Sequence, residues 1–182
     1  GRRQRQMCIR DRIKKPEDFE KPCTLAVRAL DALLDYQEYP VVAAERSTMN
    51  RRPLGIGIIN FAYWLAKNDT NYQEPNLDLI DEYAEAWSYY LIKASVDLAE
   101  EKAPCLLAPE TQYFHGRMPN DTYKKDVDEL VAHKERMPWD DLRVQAQKYG
   151  IRNSTLMALM PAETSAQISN ANTFVGRYPG DL

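Results

Sequence analysis

The sequence predicts an α/β fold in which helices predominate. Helical periodicity recurs along the chain, and a short, nearly all-apolar run at residues 154–160 follows one of the helical stretches. A run of this length and composition is typical of a strand that is buried on both faces. With a loop after it and a new helix from Thr164 onward, it completes one α/β unit.

The first helix is predicted over residues 24–36. Its apolar side chains recur at helical spacing, with Pro22 in a position suited to a first turn and Pro40 closing the segment. The predicted apolar positions are Leu25, Ala29, Ala32 and Leu33, with Leu30 and Leu34 beside them. A short polar helical turn follows at residues 43–51.

Residues 54–59 predict extended backbone, because the stretch is apolar, β-branched and spaced by Gly55 and Gly57. The two glycines also invite comparison with a dinucleotide-binding loop. That motif needs a third glycine, which is missing here, and arginines stand where its strand should be. Close strand packing therefore explains Gly55 and Gly57 better. Residues 61–67 then predict a helix.

The longest helical pattern runs over residues 77–102, with Asn76 as its N-cap. One wide apolar stripe marks it, and the aromatic members Tyr83, Trp87 and Tyr90 are expected in the core or at a domain interface. The other members are Ile80, Ala84, Leu91, Ala94 and Leu98. A further helix is predicted from Pro138 to Tyr149, where Gly150 can end it.

The turn at Pro161, Ala162, Glu163, Thr164 and Ser165 is the segment where a ligand is most expected. It follows the predicted strand, and ligands of α/β proteins bind at the carboxyl ends of parallel strands. A helix N-terminus offers unpaired N–H groups to an anion, and the two hydroxyls suit phosphate oxygens. The residues alone leave a second interpretation open, in which Thr164 or Ser165 only caps the helix. The negative charge of Glu163 favours that second interpretation.

Composition excludes several other classes of protein. Asp, Glu, Lys or Arg interrupts every apolar run before it reaches the roughly 18 residues that a membrane span needs. Residues 1–15 carry seven basic side chains and one acid, a net charge of +6, and the whole chain has a net charge of −3. The rest of the chain therefore has a net charge of −9, which does not favour binding to nucleic acid. Three unpaired cysteines indicate a reducing, cytoplasmic setting.

No catalytic or metal-binding residue is predicted in this chain. His115 and His133 are expected to be solvated surface side chains rather than metal ligands. Cys23 and Cys105 have no nearby histidine, second cysteine or helix N-terminus that would activate a thiol. The carboxylate pairs Asp140–Asp141 and Glu100–Glu101 are expected on helix surfaces or in first turns.

Four stretches of the chain resemble the large subunit of bacterial and phage class I ribonucleotide reductases. They are LAVRALDALLDYQEYP at residues 25–40, RRPLGIGIINFAY at 51–63, DTYKKD at 121–126 and GIRNSTLMALMPAETSAQISN at 150–170. The likeness covers roughly residues 24–171, in order and without large gaps. The last stretch is the most specific of the four.

The resemblance implies a fold and a reaction. The fold is a ten-stranded α/β barrel, of which this chain would be the helix-rich later portion, incomplete on its own. The reaction is the radical-based reduction of ribonucleoside diphosphates to 2'-deoxyribonucleoside diphosphates. In that family the loop that matches residues 161–165 binds the substrate diphosphate, largely through backbone N–H groups. Ala162 stands where close relatives often have a hydroxyl residue, a change that leaves backbone donation intact.

The resemblance also implies partners and missing parts. A small subunit would supply a metal and tyrosyl radical, thioredoxin or glutaredoxin would be the reductant, and ATP or dNTP effectors would bind elsewhere. The full-length large subunit would form a homodimer. None of Cys8, Cys23 and Cys105 matches the family's radical cysteine or reducing pair, so the chain alone is expected to be inactive and to bind no cofactor.

The two ends differ from the middle. Residues 1–15 form a basic arm in which residues 3–11 resemble translated sequencing-adaptor DNA, so this arm is expected to be a non-native artefact. Residues 16–171 are expected to be part of the reductase barrel domain. Residues 172–182 leave the family pattern and are expected to be a truncated tail.

Two other functions remain open at the level of the sequence. The first is a non-catalytic helical module that binds a partner protein through its acidic surface and aromatic stripe. The second is an anaerobic, glycyl-radical relative of the same barrel, which the local sequence disfavours.

Overall fold

The computed structural model of the chain describes residues 13–132 and 134–159, and within these ranges helices dominate. The α helices are α1 (Glu20–Tyr36), α2 (Val42–Arg51), α3 (Phe61–Lys67), α4 (Leu77–Lys102), α5 (Pro119–Thr122) and α6 (Trp139–Tyr149). Short 3-10 helices occur at Pro16–Phe19, Ala108–Glu110, Tyr113–His115 and Lys125–Glu129. The predicted helices at 43–51, 61–67, 77–102 and 138–149 are all present, the last of them beginning at Trp139 with Pro138 as its N-cap.

Helix α4 is the centre of the described fold, and α1 and α6 both pack against it. It begins where the sequence predicts, because the side chain of Asn76 accepts a hydrogen bond of 3.1 Å from the backbone N–H of Leu79. Its second half is buried on nearly all sides, including Tyr89 and Ile92 outside the predicted stripe. The prediction of a single stripe is therefore too narrow, since neighbours cover α4 from several directions.

Helix α1 buries a different face from the predicted one. Cys23 and Val27 are buried against α4, whereas Leu25 and Leu33 are 51% and 53% exposed and Tyr36 is 87% exposed. The helix carries apolar side chains on two faces, and periodicity alone does not tell which face meets a neighbour. The prediction that placed Leu25, Ala29, Ala32 and Leu33 on the buried face is wrong for the described structure.

Helix α6 is held to α4 by a buried carboxylate. Glu85 accepts hydrogen bonds from the indole N–H of Trp139 at 2.9 Å and from the backbone N–H groups of Arg136 and Met137 at 2.9 and 3.1 Å. These donors satisfy a charge that would otherwise be costly to bury. Gly150 ends α6 with φ of 75°, as its position in the sequence predicts.

Two extended segments, at residues 52–58 and 154–159, run parallel to each other. Ile56 and Met157 form a parallel bridge, with hydrogen bonds of 2.8 Å from Ile56 N–H to the Leu156 carbonyl and 3.0 Å from Ala158 N–H to the Ile56 carbonyl. Within residues 13–132 and 134–159, this bridge is the extent of β structure. The described structure therefore confirms a helix-rich chain but not a complete α/β sheet.

The predicted strand at 154–160 is only partly correct. Leu156 is buried, but Leu159 is 64% exposed, so this segment is not covered on both faces by the part of the chain described here. A strand needs a neighbour on each face to be fully buried. The segment has one described neighbouring strand, at residues 52–58.

In the portion of the chain that the structure describes, no helix is both long enough and apolar enough to cross a membrane.

Candidate functional site

The predicted phosphate loop follows directly from the second extended segment. Because the segments at 52–58 and 154–159 are parallel, their carboxyl ends lie at the same edge of the pair. Ligands of α/β proteins bind at that edge. Pro161, Ala162, Glu163, Thr164 and Ser165 themselves lie outside the described residues, so the loop remains a prediction.

Gly55 allows the two segments to approach closely. A Cβ atom built at Gly55 would lie 3.3 Å from the Cβ of Ala158, which is tighter than most contacts of this kind. This contact confirms that close packing explains Gly55, as the sequence analysis expects. The corresponding explanation of Gly57 stays a prediction.

At the amino end of the pair lies a group of hydrogen-bonded polar side chains, most of them buried, that the sequence patterns did not predict. We call it the Asp31 cluster. Its members come from α1, from the residue that follows α2, from α4 and from the two residues before the second extended segment. They are Asp31, Asp35, Arg52, Ser95, Arg152 and Asn153.

Asp31 is the hub of the cluster and is fully buried. Its carboxylate accepts hydrogen bonds from Arg52 Nε at 2.6 Å, from Asn153 Nδ2 at 3.1 Å and from Arg152 Nε at 3.3 Å. Lys102 Nζ lies 3.8 Å from it. Burial by itself would raise the pKa of Asp31, but the hydrogen bond from Arg52 and the charges of Arg152 and Arg52 outweigh burial, so the pKa lies below its ordinary value.

Arg52 connects α1 to the first extended segment. Its guanidinium makes a bidentate pair with Asp35, at 2.7 and 2.8 Å, and also donates to the backbone carbonyl of Asp31 at 2.8 Å. Its backbone has φ of 46°, a left-handed conformation that costs a side-chain-bearing residue roughly 1–2 kcal/mol. The buried hydrogen bonds of the side chain offset that cost and fix the turn from α2 into the extended segment.

Asn153 directly precedes the second extended segment and links it to α4. The hydroxyl of Ser95 donates to Asn153 Oδ1 and accepts from the backbone N–H of Asn153, both at 2.9 Å. The amide of Asn153 also donates to the backbone carbonyl of Arg52 at 3.1 Å. Asn153 and Ser95 are both fully buried, so every one of these bonds is shielded from water.

The Asp31 cluster is suited to holding the fold together rather than to chemistry. Its carboxylates are paired with arginines, and it lies at the amino end of the parallel pair, away from the edge where ligands bind. One feature of the sequence could have revealed it. Asp31 follows Cys23 and Val27 at intervals of four, so it lies on the buried face of α1, where an unpaired acid would be costly.

Cys23, Cys105 and His115 lie within the described residues. Burial raises the pKa of the Cys23 thiol to about 12 and also raises the pKa of Cys105, so neither is an activated nucleophile. His115 is exposed. His133 lies outside the described residues. Among the described residues, no group of three or more His, Cys, Asp or Glu side chains is arranged to hold a metal ion.

A cavity of about 460 Å³ also lies at the amino end of the pair. Two of its polar side chains have partners in the protein: Arg51 pairs with Glu110 at 2.6 Å, and the hydroxyl of Thr155 donates to the Leu54 carbonyl. The other lining residues include Pro53, Tyr113, Met118 and Ser154. This cavity is separate from the edge at which residues 161–165 follow.

Comparison with known proteins gives one consistent result. Residues 6–176 match the family model described as ribonucleotide reductase, barrel domain. The ribonucleoside-diphosphate reductase subunit alpha of Haemophilus influenzae is 56% identical over 147 residues, which cover 80% of this chain and 19% of that protein. The protein of the same name from Enterobacteria phage T4 is 49% identical over 145 residues, 80% of this chain and 19% of that protein.

A relative from Buchnera aphidicola of Acyrthosiphon pisum, also called ribonucleoside-diphosphate reductase subunit alpha, is 52% identical over 161 residues. The match covers 88% of this chain and 21% of that protein. The chain therefore spans about a fifth of the length of the curated relatives it matches.

Proposed function

The chain belongs to the ribonucleotide reductase barrel-domain family, and we propose that it is a segment of a ribonucleoside-diphosphate reductase large subunit in which residues 161–165 bind the substrate diphosphate. The observation that carries the proposal is the continuous match over residues 6–176, which includes that loop. Identities of about 50% with bacterial and phage subunits support it and do not favour a free-standing helical interaction module.

The whole protein would reduce ribonucleoside diphosphates to 2'-deoxyribonucleoside diphosphates in the cytoplasm. In the proposed arrangement this chain contributes substrate binding, and the cysteines that carry out the reduction lie in other segments of the subunit. A small subunit supplies the metal and tyrosyl radical, and a thioredoxin or glutaredoxin supplies the reducing electrons. On its own the chain is therefore inactive.

The proposed fold is the later portion of a ten-stranded α/β barrel, formed by residues 16–171. The extended segments at 52–58 and 154–159 would be two of its strands, and their parallel pairing supports this assignment. Helices α1, α4 and α6 would lie on the outside of the barrel. In this proposal residues 1–15 and 172–182 lie outside the barrel, although the family match over residues 6–176 extends ten residues into the first of these segments and five into the second.

The loop can bind a diphosphate through its backbone. Several N–H groups at the start of a helix point in one direction and favour an anion. This mode does not depend on the side chain at Ala162, and Thr164 and Ser165 add hydroxyl donors. The proposal accordingly replaces the interpretation in which these two residues only cap a helix.

One substitution tests the loop directly. The test uses an exchange enzyme, defined as the Haemophilus influenzae large subunit with its matching segment replaced by residues 16–171 of this chain. Thr164→Pro removes one N–H donor, and we expect it to weaken equilibrium binding of cytidine diphosphate. Thr24→Ala, a change at a half-buried position of α1 and 140 positions before Thr164 in the sequence, is the control. Unchanged affinity in Thr164→Pro would contradict the proposed role of the loop.

Flanking DNA provides a second test. We expect the open reading frame to continue upstream and to encode a strand of the Asn-x-Cys-x-Glu type, as the family resemblance implies. A start codon and a stop codon that bound this chain in genomic DNA would contradict the proposal.

A further inference from the structure

We propose that the outward face of α1 is an interface, which in the full-length protein is covered by a helix of the same large subunit from outside this chain. This proposal rests on the proposed function only in that the chain is a segment of such a subunit. The face consists of five exposed side chains, which we call the outer stripe: Leu25, Ala29, Ala32, Leu33 and Tyr36.

The outer stripe lies on the side of α1 that faces away from α4. At 3.6 residues per turn, its five positions fall within about 100° of the helix circumference. Cys23 and Val27, which are buried, lie about 150° away from the centre of the stripe. Helix α1 is therefore apolar on two nearly opposite sides, as is typical of a helix buried between two layers of a larger protein.

Within residues 13–132 and 134–159, only one of these two sides is covered. Helix α1 packs against α4, whereas Leu25 and Leu33 are 51% and 53% exposed and Tyr36 is 87% exposed. Neighbouring apolar side chains in water are unfavourable and mark surfaces that contact another element. The sequence of α1 therefore fits a protein in which a second layer covers the outer stripe.

The composition of the outer stripe favours a helix as the covering element. Ala29 and Ala32 are small and lie between the larger Leu25 and Tyr36, which leaves room for a second backbone near the middle of the stripe. Helices pack with their axes 8–10 Å apart, depending on the side chains at the contact. The stripe contains no charged side chain, so the helix face that covers it should be apolar, with a polar group near the hydroxyl of Tyr36.

The size of the outer stripe favours a helix of the same polypeptide. From Leu25 to Tyr36 the stripe is about 17 Å long and about 10 Å wide, an area on the order of 170 Å². A stable complex of separate proteins buries about 800 Å² on each partner, because association must offset a loss of translational and rotational freedom. Val41 and Val42, the next exposed apolar residues, leave the surface well short of that area. A helix in the same chain does not have this cost.

The relatives contain the length of chain that such a helix requires. The match covers 19% of the Haemophilus influenzae subunit and 19% of the phage T4 subunit, so about four-fifths of each lies outside it. The occupant that we assign to the outer stripe is one amphipathic helix from that remainder.

The covering segment can be identified by photo-cross-linking in the exchange enzyme, assembled with its small subunit. The photoreactive amino acid p-benzoylphenylalanine takes the place of Tyr36. We expect irradiation to join position 36 to a peptide from the Haemophilus influenzae part of the same subunit, identified by mass spectrometry, without a band of twice the subunit mass. The control carries the same amino acid in place of Arg46, an exposed polar residue of α2, and should not give this cross-link.

Three results would overturn the proposal. The first is a cross-link from position 36 to a second copy, seen as a band of twice the subunit mass, or to the small subunit. The second is a cross-link to a peptide within residues 16–171. The third is no cross-link at position 36, or one no stronger than that at position 46.

A charge placed in the outer stripe provides an independent measurement. Leu33→Asp would put a carboxylate inside the proposed contact, and we expect the thermal midpoint of the exchange enzyme to fall by about 5 °C or more. Arg46→Asp introduces the same side chain at an exposed position and should lower the midpoint by less than about 2 °C. If Leu33→Asp is insoluble, Leu33→Ala and Arg46→Ala are compared instead, with the same order expected. Equal shifts would contradict the proposal.

This interface and the phosphate loop can fail separately, because neither measurement uses substrate or residues 161–165. If Thr164→Pro leaves cytidine diphosphate binding unchanged and position 36 cross-links as expected, the substrate role is wrong and the interface stands. If Thr164→Pro weakens binding and position 36 gives no cross-link, only the interface is wrong.

Discussion

The side-chain amide of Asn153 donates a hydrogen bond of 3.1 Å to the carboxylate of Asp31, although 122 positions separate the two residues in the sequence. Both side chains are fully buried. The bond joins α1 to the short connection between α6 and the second extended segment. Long-range bonds of this kind are what hold an early and a late part of the chain in one fixed arrangement.

The stability that Asp31 contributes should depend on pH. Its folded-state pKa is lowered, so the contribution is fully present above the ordinary aspartate pKa of about 3.9 and is lost as the pH falls through the folded-state value. We expect Asp31→Asn to lower the thermal midpoint of the exchange enzyme at pH 6. Because asparagine does not titrate, the difference in thermal midpoint between the two proteins should become smaller below about pH 4. A difference that stays constant or grows in acid would show that the Asp31 charge is not stabilising.

Removing the charge of Glu85 should loosen α6. The carboxylate accepts three hydrogen bonds of 3.1 Å or less at Oε1, including the one from Trp139, and its Oε2 lies 3.4 Å from Arg136 Nη1, where the amide NH2 group of a glutamine would meet another donor. We expect Glu85→Gln to destabilise the exchange enzyme by about 1–3 kcal/mol in urea unfolding. Glu100→Gln, an exposed change on the same helix, should have little effect. Equal effects of the two substitutions would count against a special role for Glu85.

Substitutions at Gly150 and Gly116 can separate the effect of steric packing from the effect of backbone strain. Both have positive φ, 75° and 72°, so alanine is strained at either position. A Cβ at Gly150 would lie 2.8 Å from the Cβ of Pro104, which is rigid, whereas one at Gly116 would meet the flexible end of Gln147. We therefore expect Gly150→Ala to lower the thermal midpoint clearly more than Gly116→Ala. The reverse order would contradict this account of the α6 terminus.

Sequence patterns predicted well where the helices lie in the chain, but they predicted poorly which faces and side chains of the helices pack against one another. Asn76 and Gly150 determine helix ends by local hydrogen bonding and local backbone conformation, so both ends follow from the sequence. The buried face of α1 does not follow from the sequence. It depends on the position of the neighbouring helix, which covers Val27 and leaves Leu33 exposed. Asp31 was missed for the same reason: its partners Arg52 and Asn153 are 21 and 122 positions away. The residues alone singled out the loop at 161–165 but left open whether Thr164 or Ser165 only caps a helix, and the family resemblance favoured phosphate binding.

As a free polypeptide the chain should be only marginally stable. Leu25, Leu33 and Tyr36 leave an apolar face of α1 exposed, and the segment at 154–159 has one described neighbouring strand. We expect a broad, non-cooperative thermal transition by circular dichroism, with binding of a hydrophobic dye at room temperature. A sharp transition that is independent of protein concentration would contradict this expectation.

The central claim is that this chain can take the place of the matching segment in a reductase large subunit. Reduction of cytidine diphosphate by the exchange enzyme, assembled with its small subunit and a thioredoxin system, tests it most directly. We predict turnover within about tenfold of the parent enzyme, with a marked loss in the Thr164→Pro variant. An exchange enzyme that is folded, dimeric and able to bind ATP, yet forms no deoxycytidine diphosphate, would contradict the claim.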